Sequence, residues 1–124
     1  MLGFLSRLRK IIKLNSKSIS DIEFSCSSHP GQLKKVIFYG SELTSAVTQV
    51  AYAEFRAGDS VEEHSHESME EVFLILDGEC EFILDGVLHL LKKDDVIKIT
   101  PKIKHKLKAL TYTKLYYFGV STIE

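Results

Sequence analysis

The sequence predicts an all-β domain, either a sandwich or a barrel. Its 124 residues suffice for one domain with a core of its own. Beyond residue 20, about nine short segments rich in β-branched and aromatic residues alternate with turn signals roughly every 8–12 residues, a spacing typical of sandwiches and barrels. No stretch beyond residue 20 shows the apolar periodicity of a long helix.

Residues that favour turns separate the predicted strands. His29-Pro30-Gly31 marks the first turn, Asp85-Gly86 is the clearest hairpin signal, and Pro101 ends a run because it lacks a backbone N–H. The predicted strands span residues 34–39, 47–55, 61–66, 71–76, 79–84, 87–91, 96–100, 105–110 and 114–120.

Residues 1–20 differ from the rest, so we divide the chain into a basic amphipathic N-terminal segment, 1–20, and a single barrel domain, 21–124. Apolar residues recur at helical spacing between Phe4 and Ile12, and no acidic residue precedes Asp21. We expect a short amphipathic helix, or a strand, that packs on the domain or on a second subunit. The alternative is weak contact with an anionic membrane surface or an acidic partner.

The composition excludes several broad classes of function. A formal net charge of −1 gives no overall signal for nucleic acid. No apolar run approaches the roughly 20 residues of a membrane span, and residues 1–14 do not have the pattern of a secretory signal. Cys26 and Cys80 are far apart and form no CxxC pair, which predicts two reduced thiols. We therefore expect a cytoplasmic protein.

The stretch from Gly58 to Gly78 carries the chemistry. It contains His64 and His66, and on a strand side chains two residues apart project from the same face. Imidazole combined with carboxylate suits Zn, Fe, Ni, Mn or Cu better than Ca or Mg. Without cysteine ligands, a closed structural zinc site is not expected. A mixed His/Glu site usually leaves positions for water or substrate, which indicates a catalytic site. The alternative for an isolated HxH is a solvated loop pair.

These residues are similar to the first motif of a small single-domain cupin. That motif consists of Gly, five residues, HxH, three or four residues, Glu, six residues and Gly. Every position is filled here by Gly58, His64, His66, Glu71 and Gly78. Glu70 satisfies only the shorter spacer and then misses the closing glycine, so Glu71 is the expected ligand.

The second motif resembles the cupin pattern only in part. The family shows Gly-Asp, a strand, PxGxxH and a downstream Asn. Here Asp95 and His105 match, Asp94 replaces the first glycine, and Lys102 replaces the glycine of PxG. Thr100 replaces the proline, which is shifted by one, and Ala109 replaces the Asn. The resemblance covers about residues 45 to 120.

The resemblance implies a double-stranded β-helix, or jelly-roll barrel, with one divalent transition metal (Zn, Fe, Ni or Mn) held by His64, His66, Glu71 and His105. It implies action on a small, anionic metabolite by oxygenase, isomerase or epimerase, or decarboxylase chemistry. The alternative is a non-catalytic module that binds a sugar or another small molecule, with a structural or vestigial metal. The changed loop makes the position of His105 the least determined of the four.

Strand 71–76 predicts a homodimer, because a strand that is apolar on both faces must bury both. If Glu71 points inward, Phe73 and Ile75 share its face and Val72 and Leu74 point outward. Tyr52, Phe55 and Phe82 are further candidates for the interior. We expect His29 and His89 at the surface. Five lysines alternate along the strand–turn–strand around His105, favouring a solvated face over an anion-binding rim; they are Lys98, Lys102, Lys104, Lys106 and Lys108.

Overall fold

The computed structural model describes residues 15–27, 29 and 32–122. These residues form ten strands and two one-turn 3₁₀ helices, Ile19–Asp21 and Gly40–Glu42. No helix within these ranges is long and apolar enough to cross a membrane. The strands are β1 (Ser25–Cys26), β2 (Leu33–Tyr39), β3 (Val47–Phe55), β4 (Ser60–His64), β5 (Met69–Asp77), β6 (Glu79–Leu84), β7 (Val87–Lys92), β8 (Val96–Ile99), β9 (His105–Ala109) and β10 (Thr113–Ser121).

The strands form two antiparallel sheets. A six-stranded sheet has the order β1-β2-β3-β10-β5-β8, and a four-stranded sheet has the order β4-β9-β6-β7. Sequential strands repeatedly change sheet, as from β3 to β4 and from β4 to β5, so the chain winds around a common interior. This is the jelly-roll barrel expected from the sequence.

The core lies between the two sheets and draws on both. Ile75 and Leu115 of the large sheet and Cys80 and Ala109 of the small sheet are 0% exposed, and Phe82 is 1% exposed. They belong to one contiguous cluster. Period-two alternation explains this, because Glu71, Phe73 and Ile75 share the inner face of β5 as predicted.

All nine predicted strands are present, with two differences. The two-residue β1 was not predicted, and β4 ends at His64, so the prediction of a strand reaching His66 is wrong. The cause is the partner strand: β9 begins at His105, which pairs with His64. The residues after His64 therefore have no partner in β9. The carbonyl of His66 instead accepts a 2.7 Å hydrogen bond from the Lys102 N–H.

Apolar residues cluster on the outer face of the six-stranded sheet. Leu74 lies beside Tyr116 and Val96, and Val72 lies beside Phe118. Tyr52 also belongs to this face, so its predicted interior position is wrong. It alternates with two buried alanines, and its ring packs against Tyr116 at 5.6 Å. The five lysines around His105 are exposed, as predicted.

Part of the predicted N-terminal segment lies against β2. Lys17 Nζ donates hydrogen bonds to the Ile37 carbonyl at 2.6 Å and to Glu42 at 2.9 Å. Lys35 Nζ donates to the Ile19 carbonyl at 2.9 Å. Residues 15–20 therefore contact the barrel, whereas most of the amphipathic pattern falls on residues 1–14, outside the described residues.

Candidate metal centre

Three strands and one connection bring four ligand candidates to one end of the barrel. His64 is the last residue of β4, and His105 is the first residue of β9 beside it. Glu71 projects inward from β5 of the other sheet, and His66 lies in the connection between β4 and β5. The candidate ligand atoms all lie within 4.8 Å of one another.

The contacts inside this cluster are short. Glu71 Oε1 lies 3.0 Å from His66 Nε2 and 3.4 Å from His105 Nε2. The ring centroids of His64 and His105 are 4.1 Å apart. Donors that bind one ion at about 2.1 Å are at most about 4.2 Å apart, so only a slight contraction would bring the set to bonding distance.

Backbone carbonyls orient two of the three rings. His64 Nδ1 lies 2.8 Å from the Glu62 carbonyl, and His105 Nδ1 lies 2.9 Å from the Ile103 carbonyl. A carbonyl only accepts hydrogen bonds, so each Nδ1 carries the proton. In the neutral ring this leaves the Nε2 lone pair available to a metal, the arrangement that supporting hydrogen bonds create around metal-bound histidines.

Two buried polar atoms in the cluster lack a well-formed hydrogen bond with any described residue. They are Glu71 Oε1 and His105 Nε2, in residues only 6% and 4% exposed. Their mutual distance is 3.4 Å, which is longer than a typical N–H···O hydrogen bond. Buried polar atoms are nearly always satisfied, and a bound cation would satisfy both.

The electrostatics keep the carboxylate charged. Burial raises the pKa of Glu71, but contact with His105 and the charges of His66, His105 and His64 outweigh burial, so the pKa lies below its usual value. Burial lowers the pKa of His105, but Glu71 and the Ile103 carbonyl raise it more. Burial lowers the pKa of His64 more than the Glu62 carbonyl raises it.

Two residues that replace glycines of the cupin pattern adopt backbone angles that suit glycine. Lys102 and Asp94 replace family glycines, yet both adopt positive φ, +70° and +73°. Such angles suit glycine, and a lysine adopts them only under constraint. The Lys102 N–H bonds the His66 carbonyl at 2.7 Å. The connection between β8 and β9 therefore leads to His105 in the cluster with a lysine at the position of the glycine in the pattern.

The cluster borders a cavity of about 170 Å³. Its floor is apolar and includes Phe73, Phe82 and Leu115. Sequence reasoning missed the other polar residues that line it, namely Ser27, His29, Gln32, Lys34, Gln49 and Tyr117.

His29 was predicted to be a surface residue of a turn, and that prediction is wrong. Its half-buried ring packs against His64, with centroids 4.5 Å apart. His29 also lines the cavity, so it meets His64 as a contact between distant segments that local turn signals do not reveal. His89 is exposed on β7, as expected.

The sequence model of the cupin domain family matches residues 51–120, more than half of the chain. The chain belongs to the cupin family. The match spans the first motif and reaches past His105, so it includes all four members of the cluster. No curated protein matches the chain.

Solved cupin structures share the fold. A predicted oxalate decarboxylase from Thermotoga maritima is 22% identical, with a TM-score of 0.75, covering 88% of this chain and 99% of that one. KdgF from Halomonas sp. is 19% identical, with a TM-score of 0.71 and coverages of 86% and 94%. An RmlC-like cupin from Shewanella frigidimarina is 18% identical, with a TM-score of 0.72 and coverages of 87% and 91%. At these identities the likeness establishes the fold alone.

Proposed function

We propose that this cupin binds one divalent transition metal through His64, His66, Glu71 and His105, and acts there on a small anionic metabolite. The observation that carries the proposal is the pair of buried, unsatisfied atoms, Glu71 Oε1 and His105 Nε2, facing each other inside a cluster of suitable donors. An apolar barrel end would cost less free energy to form, because buried polar groups without partners are destabilising.

The donor set favours an open transition-metal site. Three imidazoles and one carboxylate suit Zn, Fe, Ni or Mn, and a divalent ion among them would leave a net charge of about +1. Such an ion, when bound, polarises a carbonyl or lowers the pKa of a coordinated water. The charge and the cavity of about 170 Å³ favour a small anionic ligand.

Residues of the chain prepare the site for this ligand. The Glu62 and Ile103 carbonyls hold the rings of His64 and His105 in orientation. The apolar floor excludes water, which strengthens electrostatic interactions above it. Burial, and to a lesser extent the charge of Glu71, raises the pKa of Tyr117 to about 12. Its hydroxyl therefore stays protonated and can donate a hydrogen bond to a ligand.

The reaction classes that such a site supports are oxygenation, isomerisation or epimerisation, and decarboxylation. The solved structures named above differ in name, from KdgF to a predicted oxalate decarboxylase, so they support only the fold. The donor set supports the proposal. The alternative is a binding module without turnover. Turnover of any ligand that stabilises the metal-loaded protein against heat would reject that alternative.

Metal analysis of protein purified without chelators tests the proposal. We expect about one equivalent of transition metal in the wild type and a large loss in His64→Ala, because the cluster loses a donor held by the Glu62 carbonyl. His89→Ala is the matched control, because that histidine is exposed on β7. Metal far below one equivalent in the wild type, or equal metal in all three proteins, would contradict the proposal.

A homodimer formed through the outer face of the six-stranded sheet is a further proposal. The apolar residues around Leu74 on this face support it. Light scattering after gel filtration should give twice the mass of the chain, and Leu74→Glu should give the monomer. Leu90→Glu, on exposed β7, should leave the dimer intact. A wild-type monomer, or a dimer unaffected by Leu74→Glu, would reject this interface.

We also propose that residues 1–20 contact membrane surfaces weakly. A cytoplasmic location is a separate proposal. Co-sedimentation with vesicles containing anionic lipid, comparing the full chain with a chain lacking residues 1–14, tests the first. Equal, negligible binding by both would exclude the contact. Fractionation of cells that express the chain tests the second, and recovery outside the cytoplasmic fraction would contradict it.

A further inference from the structure

The cavity contains a second polar group that metal binding does not use. Lys34 of β2 and Gln49 of β3 both line it, and Lys34 Nζ donates a 2.9 Å hydrogen bond to Gln49 Oε1. Within the described part of the chain, Lys34 is the only lysine or arginine that lines this cavity. The lysines that flank His105 lie outside it.

The strand register relates this pair to the metal donors. Gln49 pairs with Gly119 of β10, and Gly119 pairs with Glu71 of β5. Two strand spacings separate the Cα atoms of Gln49 and Glu71 by about 10 Å, and both side chains enter the same cavity. The charge of Glu71 also raises the pKa of Lys34, which burial lowers more strongly. A small ligand can therefore contact both groups at once.

The pair offers hydrogen-bond donors to the cavity. Gln49 Oε1 is occupied by the lysine ammonium, so the remaining groups are ammonium N–H and the amide N–H₂ of Gln49, for which no described residue is an acceptor. Gln49 is uncharged and does not neutralise Lys34. Half-burying a cation costs free energy unless an anion compensates it, so the complementary ligand group is an anion.

We propose that Lys34 and Gln49 form the subsite that binds a carboxylate of the ligand, whose opposite end reaches the metal donors. This inference rests on the proposed function, and it narrows the ligand class to small dicarboxylates or to acids with a metal-binding oxygen at the other end. Lys34 sets specificity through its charge, and Gln49 positions the ammonium.

Calorimetric titration of the Ni²⁺-loaded protein with succinate and with succinamate tests the subsite. The two probes have nearly the same shape, but succinamate has an amide in place of one carboxylate. We expect the wild type to bind succinate at least about tenfold more tightly, because a charge-assisted hydrogen bond is roughly twice as strong as a neutral one. Lys34→Met should reduce the preference to within about twofold, and Lys34→Arg should retain it.

Lys35→Met is the matched control. Lys35 is the next residue of β2, but its Nζ contacts the Ile19 carbonyl and the Phe24 ring outside the cavity. Lys35→Met removes the same charge as Lys34→Met but from outside the cavity. The variant should therefore keep the wild-type preference for succinate. Circular dichroism confirms that each variant is folded.

Metal content measured on the same samples separates this inference from the proposed function. With metal present, an equal preference in wild type and Lys34→Met, or no binding of succinate, overturns the subsite alone. If the wild type retains no metal, the proposed function fails and the same comparison is made on metal-free protein. On metal-free protein, a preference for succinate that is lost in Lys34→Met supports the subsite. Equal binding of the two probes by the metal-free wild type overturns the subsite.

Discussion

The two ends of the barrel treat buried polar atoms in opposite ways. The open end is the end that carries Glu71 and His105, and the closed end is the opposite one, where β10 begins at Thr113. Thr113 is 0% exposed, and its Oγ1 lies 3.0 Å from the Thr111 carbonyl and 3.2 Å from that of Glu79. At the open end the atoms Glu71 Oε1 and His105 Nε2 have no such partner. The same two sheets supply both ends. The contrast indicates that the closed end contributes more to the stability of the fold than the open end does. This division is expected if the open end is a binding site.

Left-handed backbone angles occur at both ends of the barrel. Lys102, in the loop next to His105, adopts φ +70°. Near the closed end the left-handed angles after β3 and β5 fall on Gly58 and Gly78, which accept them without strain. Asp94, whose N–H bonds the Ile75 carbonyl, adopts φ +73° as well, but aspartate tolerates this region better than lysine. The more strained of these two residues therefore lies next to the ligands.

The largest effect should come from the closed end. Ile75→Ala should lower the free energy of unfolding by about 2–5 kcal/mol, because the residue is 0% exposed and leaves a cavity among packed neighbours. Urea unfolding measures the loss. Metal stoichiometry of the folded variant should stay at the wild-type value, since Ile75 does not line the metal cavity. A decrease in the free energy of unfolding below about 1 kcal/mol would contradict a stabilising role for the closed end.

Glu71→Gln should separate binding from stability at the open end. We expect metal affinity to fall at least about 100-fold, or ~2.7 kcal/mol, because the anionic ligand is lost. The stability of the metal-free protein should stay within about 1 kcal/mol of the wild type, because the amide can donate a hydrogen bond to His105 Nε2. Chelator competition measures the affinity, and urea unfolding with EDTA measures the stability.

Glu70→Gln is the control for that change. Glu70 lies on the outer face of β5, with Lys98 Nζ 3.9 Å from its Oε1. Glu70→Gln should change neither the metal affinity nor the stability of the metal-free protein, because ion pairs at the surface contribute little to stability. A Glu71→Gln protein that keeps wild-type metal affinity would mean that the carboxylate is not a ligand.

A smaller effect should come from the strained loop. Lys102→Gly should raise the free energy of unfolding by about 1 kcal/mol, because glycine adopts φ +70° without a Cβ clash. Asp94 lies in a different turn, between β7 and β8, and adopts φ +73°. Asp94→Gly should change stability less, because aspartate tolerates the left-handed region better than lysine. Thermal unfolding of the metal-free proteins compares them. Equal or lower stability for Lys102→Gly would show that the loop carries no strain.

The sequence predicts the strands and the donor cluster well, because both depend on local spacing. Turn residues bound each strand, and the first motif identifies Glu71 by its distance from Gly78. The position of His105 could not be predicted from the sequence. It depends on the positive φ of Lys102, an angle that a lysine rarely adopts.

Sequence reasoning fails where distant segments meet. The end of β4 at His64 depends on where β9 begins, and His29 enters the cavity through a connection from another part of the chain. Tyr52 was misplaced because both faces of its strand carry apolar residues. Gln49 did leave a signal, since it shares the inward row of β3 with Ala51, Ala53 and Phe55, where a polar residue is unexpected.

The division of the donors between the sheets has a mechanical consequence. His64 and His105 belong to the four-stranded sheet and Glu71 to the six-stranded sheet, so an ion bound by all three would clamp the two layers together at the mouth. Opening of the barrel at this end would then require breaking metal bonds as well as separating side chains. The fluctuations that admit or release a ligand would thus depend on whether the ion is in place, and loading the site would set the stiffness of the entrance.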